Sequence, residues 1–257
     1  MMFLKAVSAA RRTYPVVTDG LKLYLDAYNT RSYPGTGTTW YDLSNSGYNL
    51  TNTGGTWTVS GGRRYFELDG VNDYITGTSN TTLYNVTSTG YTWSIWLYFV
   101  TAPVYLDSVV EEKNNGVSQA YYMDHRNNTN SNGNGWNFKT YIPISNVERG
   151  TQWNQTIVTG TWQQIVYTFT YATSTNGTFR IYHNAVQQVS TAQNTPAGRT
   201  WENANTSTYP VIGALDLNGT LVRFNNIRVG EVLQYNRPLT ATEITNNYNS
   251  TKSNYGL

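Results

Sequence analysis

YTWSIWLYFV, Tyr91 to Val100, is the most apolar stretch of this 257-residue chain, and its reading decides the fold. Trp93, Ile95, Leu97 and Phe99 recur at every second position and so share one side of an extended backbone. The run is too aromatic and β-branched for a helix, and it reads as a central strand. Trp162–Tyr171 repeats the pattern with Ile165, Tyr167, Phe169 and Tyr171 on one face. In Leu21–Ala27, Leu21, Leu23 and Leu25 alternate with Lys22, Tyr24 and Asp26. Further strands are expected at Tyr65–Leu68, Tyr74–Thr76, Val211–Ala214, Leu221–Val229 and Glu231–Tyr235. A hairpin is expected from Thr178–His183 to Val186–Ser190 across Asn184-Ala185. One helix is credible: Thr240-Ala241-Thr242-Glu243 is a capping box, with Ile244 and Tyr248 four apart behind it. Strands spaced by turn signals with a single helix predict an all-β, two-sheet antiparallel sandwich, its short C-terminal helix plugging one end. The expected organisation is an arm over residues 1–19 and one domain over 20–257.

Composition agrees with strands. Only 12% of residues are charged, against about 25% in ordinary domains. Polarity comes from Thr, Asn and Ser instead, and 22 Tyr and 8 Trp supply most of the aromatic content. Exposed aromatic rings of this kind can stack on the apolar faces of sugars. A formal charge of +2 with scattered Lys and Arg gives no basic stripe for nucleic acid. The absence of cysteine excludes disulfides and thiolate metal sites. No apolar run is long enough to span a membrane. The N-terminal MMFLKAVSAARR is too short in its apolar run for a signal peptide. It reads as an amphipathic arm with Phe3, Leu4, Val7 and Ala10 on one face, suited to docking on the domain or on a neighbouring subunit.

FELDGVNDYI, Phe66 to Ile75, concentrates Glu67, Asp69 and Asp73. Phe66 and Leu68 claim the core face, Glu67 points outward, and Gly70 breaks the strand. Asp69-Gly70-Val71-Asn72-Asp73 reads first as a turn whose side chains bond local amides. Asp69, Asn72 and Asp73 are also candidate calcium ligands, being hard oxygen donors in one bend, with Asp42 or Glu231 available to complete a shell. Glu231 is expected on a strand near the sheet edge. Gly61-Gly62 before Arg63-Arg64 can hold an anion, although a hairpin loop is the simpler role. His125 and His183 stand in no triad or metal context, and His183 is expected to be exposed. Trp136 and Trp201 are the candidate carbohydrate-stacking residues, because both sit in polar, Asn-rich sequence outside the expected strands. Trp93, Trp96 and Trp162 are expected in the core.

Five segments in order carry a resemblance. GLKLYLDAYNTRSYPGTGTTWYDLSNSG (Gly20–Gly47), YFELDGVNDYI (Tyr65–Ile75), YTWSIWLYF (Tyr91–Phe99), WQQIVYTF followed by FRIYHNAV, and VGEVLQYNRPLTATEI (Val229–Ile244) resemble laminin-G-like, concanavalin A-like jelly-roll domains common in tailed-phage virion proteins. The chain departs from that pattern twice, reading DLSNSG at Asp42–Gly47 for the usual DLSGNG, and Asn184-Ala185 for the usual Asn-Gly. The second departure predicts another turn type, since Ala disfavours positive φ. The resemblance implies a non-enzymatic virion module, a capsid decoration or fibre-like component. Such a module would dock on other virion proteins through its N-terminal arm, assemble as an oligomer and engage host-surface glycans. The alternatives it leaves are a free, secreted carbohydrate-binding lectin and a glycan-cleaving hydrolase acting through Glu67 and Asp69.

Overall fold

The computed structural model describes residues 15–78, 90–102, 107–114, 118–126, 135–142, 147–153, 155, 158–173, 176–193, 208–217 and 219–257. The strands in chain order are β1 (Leu21–Asp26), β2 (Thr39–Trp40), β3 (Leu50–Thr53), β4 (Thr56–Ser60), β5 (Arg63–Asp69), β6 (Tyr74–Thr76), β7 (Gly90–Phe99), β8 (Asp107–Asn114), β9 (Ser118–Arg126), β10 (Gly135–Ile142), β11 (Val147–Trp153), β12 (Trp162–Thr173), β13 (Asn176–His183), β14 (Val186–Gln187), β15 (Thr191–Gln193), β16 (Thr208–Ile212), β17 (Leu215–Leu217), β18 (Thr220–Val222) and β19 (Asn226–Tyr235). The helix α1 (Ala241–Thr251) follows and runs into a 3-10 turn at Lys252–Asn254.

Two antiparallel sheets carry the fold. The first, of eight strands, runs β14-β13-β12-β7-β19-β5-β4. β1 joins it by pairing with residues 231–235 of β19, while β5 pairs with residues 226–229 of the same strand. The second, of nine, runs β15-β11-β10-β9-β8-β16-β6-β3-β2. The all-β, two-sheet sandwich expected from the sequence is what is found. Its central strand is β7, flanked by β12 and β19.

Alternation decides what lies between the sheets. Trp93, Ile95, Leu97 and Phe99 of β7 and Ile165, Tyr167 and Phe169 of β12 meet Trp40, Leu50, Ile75, Val110 and Met123 of the opposing sheet in one buried cluster. Each such side chain contributes about 1.5–3 kcal/mol by leaving water.

The outer face of the eight-stranded sheet is also covered, by α1 and the residues after it. The capping box forms as expected: the Thr240 hydroxyl accepts from the Glu243 amide, and the Glu243 carboxylate accepts from the Thr240 amide. Ile244 then packs with Val166, Tyr182, Leu233, Tyr235 and Leu239, with Val16 and Val17 against them. Asn247 accepts from the Val17 amide at 2.9 Å. The helix therefore lies across a sheet face instead of plugging an end of the sandwich. Residues 15–19 of the expected arm run beside it, and residues 1–14 lie outside the described chain.

Two further expectations change. Glu231 does not sit near a sheet edge, because β19 is bordered by β7 on one side and by β1 and β5 on the other. The Asn184-Ala185 turn keeps left-handed geometry at both residues, with φ 48° and 64°. Asn184 locks it, its side chain accepting the Gln164 amide at 2.8 Å and its own amide donating to the Gln164 carbonyl at 2.9 Å.

Candidate functional site

The acidic bend resolves into local structure. The Asp69 carboxylate accepts the Val71 amide at 2.8 Å, and the Asp73 carboxylate accepts the Asp69 amide at 3.0 Å. Asp73 is buried, Asp69 and Asn72 are exposed, and burial raises the Asp73 proton affinity. Asp42 turns to its own loop instead, accepting from Tyr24, Ser44 and Tyr48 amides and the Ser44 hydroxyl. Calcium requires six to eight oxygens. Among the described residues no group of three or more His, Cys, Asp or Glu is placed to hold a metal. Glu67 is directed elsewhere. It receives two hydrogen bonds from Arg228, at 3.0 and 2.8 Å, on the outer face of the eight-stranded sheet.

That outer face carries the arrangement with most binding character. Where β4, β5, β7, β12 and β19 run side by side, Tyr65, Trp96, Trp162 and Tyr255 form a buried aromatic cluster, with Tyr28, Tyr98 and Tyr248 partly buried against it. The Tyr255 ring stacks on Trp96 at 4.3 Å between centroids and packs on Trp162 at 4.8 Å. Gly230 permits this approach, since a Cβ there would fall 2.4 Å from the Tyr255 ring. The Trp96 indole donates to the Thr251 hydroxyl at 2.9 Å, which ties the end of α1 to β7. The Arg228 guanidinium lies over the Tyr65 and Tyr98 rings at 5.0 and 4.8 Å. Partial burial works against its charge, but the Glu67 bonds outweigh this and raise its proton affinity.

A cleft of about 360 Å³ opens beside this cluster. Tyr65, Trp162 and Tyr255 floor it; Arg63, Arg228 and Tyr98 wall it; Ser60, Thr161 and the Gly160 and Gly256 backbone form its lip. The volume lies in the range of small-ligand sites. Aromatic surface, hydroxyls and guanidinium donors are the groups that recognise a sugar ring and its oxygens. Arg63 and Arg64 follow the Gly61-Gly62 turn of the β4–β5 hairpin, and both residues have a partner in place. The Arg63 Nε donates to the Tyr255 carbonyl at 3.2 Å and Arg64 to the Tyr28 carbonyl at 2.9 Å.

Beneath the same C-terminal segment lies a buried acid pair. Asp26 and Glu231 are cross-strand neighbours on β1 and β19. Among the described residues neither Glu231 carboxylate oxygen has a hydrogen-bond partner, and the residue is 1% exposed. Burial, then the Asp26 charge, raises Glu231 well above the ordinary glutamate value. Burial likewise raises Asp26 to about 6, against the pull of the Tyr28 and Asn29 amides, the Tyr24 hydroxyl and Arg64. The pair is closed to ligands and acts on stability.

The remaining expected residues fall elsewhere. Trp136 is not in a loop. It is the second residue of β10, in register with Trp153 on β11 and His125 on β9. Trp201 lies outside the described residues. His183 is half-buried rather than exposed, its ring 5.2 Å from that of Trp153, and burial lowers its proton affinity. Trp93 is in the core between the sheets, whereas Trp96 and Trp162 are buried on the outer side. Sequence reasoning missed Tyr98, Arg228 and Tyr255 as a group. Its one pointer to the cleft was the Gly-Gly-Arg-Arg stretch.

Comparison with known proteins places the fold. The laminin-G-type family described as the concanavalin A-like lectin/glucanases superfamily matches residues 69–245. No curated protein sequence matches. Among solved structures, the chain is similar to the binding domain of botulinum neurotoxin DC in complex with SialylT (13% identity, TM-score 0.63, 91% of this chain and 52% of that one). It is similar to the binding domain of Paraclostridial Mosquitocidal Protein 1 (17% identity, TM-score 0.61, 90% and 52%). It is also similar to Trypanosoma rangeli sialidase in complex with the inhibitor DANA (15% identity, TM-score 0.58, 93% and 34%). The chain thus spans about half the length of the toxin domains and a third of the sialidase. The sialidases correct one expectation: a chain of this fold is not thereby non-enzymatic, because chains sharing the fold include glycan-cleaving enzymes. At 13–15% identity the likeness is one of fold and assigns no activity.

Proposed function

The chain belongs to the concanavalin A-like lectin/glucanases superfamily, and from that premise we propose that it is a carbohydrate-binding module of a virion surface protein, taking its glycan at the outer-face cleft. The observation that carries the reading is the cleft itself: an aromatic floor, two arginines and two hydroxyl-bearing residues at one opening. A toxin binding domain of the same fold in complex with SialylT supports glycan recognition. The virion setting rests on the five ordered segments that resemble phage-borne jelly rolls. In that setting the amphipathic MMFLKAVSAARR stretch at the N-terminus is the docking segment for a capsid or tail neighbour, and the assembled form is oligomeric.

A glycan array on the purified chain, with and without calcium, tests the binding. Thr161 stands exposed at the lip, so Thr161→Trp fills the opening without touching the core. Bound glycans are expected to be lost in that variant and kept in Trp136→Ala. Loss in Trp136→Ala alone moves the site to β10, and calcium-dependent signal lost in Asp69→Asn or Asp73→Asn assigns a metal role to the bend. Mass spectrometry of purified virions tests the placement. Absence of the chain from them, with glycan binding intact, leaves a free secreted lectin.

A further inference from the structure

The charge of the cleft sets the class of sugar it takes. Its charged side chains are Arg63 and Arg228, and Arg228 is neutralised by Glu67 at 2.8 Å. Arg63 differs. Its Nε is held by the Tyr255 carbonyl, which fixes the plane of the guanidinium. No carboxylate among the described residues pairs with it. Its terminal nitrogens are flanked by glycines. A Cβ on Gly256 would fall 2.2 Å from Nη2, and one on Gly61 would meet Nη1 at 3.5 Å. A side chain at 256 would thus take the space that an incoming oxyanion needs. The outcome is an oriented guanidinium fork, with no ion-pair partner among the described residues, at the mouth of an aromatic-floored cleft.

We propose that Arg63 is the specificity-determining residue of the cleft and selects sugars that carry a carboxylate, the sugar acids, over neutral hexoses. The inference rests on the cleft being a glycan site. A planar carboxylate matches the guanidinium edge with two parallel N–H···O bonds, which an ammonium or a hydroxyl cannot reproduce. The ring of such a sugar lies toward Tyr98 and Trp162, with its hydroxyls toward Ser60 and Thr161. A neutral hexose gains only the ring and hydroxyl contacts and leaves the cation without a partner.

The test is calorimetric titration of the whole chain with three methyl glycosides, of glucuronic, galacturonic and N-acetylneuraminic acid, each beside its carboxyl methyl ester. At least one acid is expected to bind tenfold or more tightly than its ester at 20 mM salt, with the gap narrowing at 0.5 M. Arg63→Gln is expected to bring the acid's affinity down to that of its ester in the same variant, removing the gap. Equal binding of acid and ester in the wild-type chain overturns the inference and leaves the glycan reading standing, and this comparison needs no variant. A gap that survives in Arg63→Gln also overturns it. A 6-sulfated glucoside binding as tightly as the uronide overturns the choice of carboxylate in favour of sugar oxyanions at large. Failure of acids, esters and neutral glycosides alike overturns the glycan reading, and the inference falls with it.

Discussion

Replacing Glu231 with Gln should stabilise the protein, and by an amount that grows with pH. The carboxylate is buried near Tyr255 and Asp26, with neither oxygen hydrogen-bonded among the described residues. An ion there costs more than a neutral acid, so the folded chain keeps a proton that the unfolded chain releases above the ordinary glutamate value of 4.5. Stability from this group is complete below pH 4.5 and declines as pH rises toward the elevated folded value. Each pH unit in that window removes about 1.4 kcal/mol, and the loss stops growing once pH passes the folded value. Gln has nearly the same shape and takes up no proton. Urea unfolding followed by tryptophan fluorescence at pH 4.5, 6 and 7 reads the difference. The two proteins should nearly coincide at pH 4.5, and the variant should then gain on the wild type by up to about 1.4 kcal/mol per pH unit until the gap levels off at the folded value. A gap of the same size at all three values would show that Glu231 carries no extra proton. A destabilised variant at pH 7 would show that its carboxylate is partnered after all. Asp26, raised to about 6, adds its own decline between pH 3.8 and 6 in both proteins, so the wild-type profile is steepest there.

Other substitutions probe the scaffold around the cleft. Ala185 holds φ at 64°, so Ala185→Gly should raise stability by about 0.5 kcal/mol, the relief of strain being partly offset by a freer unfolded chain; a lower urea midpoint would contradict the strain. Gly54→Ala places a Cβ 2.0 Å from the Asp73 carboxylate at φ 79°, and should cost about 2 kcal/mol by displacing the group that holds the Asp69 amide. An unchanged melting temperature would show that the bend relaxes freely. Glu243→Ala removes the capping box and the 2.7 Å Arg237 ion pair, for a loss of about 1–2 kcal/mol after allowing for solvent screening. Arg237 holds Glu243 down to about 2. That stabilisation is present above pH 4.5 and fades as pH falls toward 2, so the gap between variant and wild type should close over that interval.

Local pattern made the sandwich legible and left the site hidden. Two-residue alternation in Tyr91–Val100 and Trp162–Tyr171 identified the inner faces of β7 and β12 because burial enforces that period on any central strand. The Thr240–Glu243 capping box located α1 because its partners are three residues apart. The outer face obeys no such rule. The register of β19 shifts between Val229 and Glu231, so Arg228, Glu231, Leu233 and Tyr235 share one face across an odd spacing. A continuous alternation read through Val229–Tyr235 assigns them wrongly. The cleft draws on residues from Ser60 to Leu257, joined by strand pairings that no short window contains. Trp136 was misplaced for a related reason: an Asn-rich neighbourhood signals a loop, yet β10 begins at Gly135 inside it. Glu67 and Asp69 look like paired acids in sequence, and only the Arg228 contact shows what Glu67 is used for.

The central claim is that the outer-face cleft is where a glycan sits, and the tryptophan indoles report on it directly. Spectra of the chain with 15N-labelled indoles should show the Trp162 resonance, assigned through Trp162→Phe, moving as a sugar-acid glycoside is added. Trp40 and Trp93, sealed between the sheets, should stay fixed. A glycoside that binds while Trp162 stays still and Trp136 moves would contradict the account and place the site on the opposing sheet.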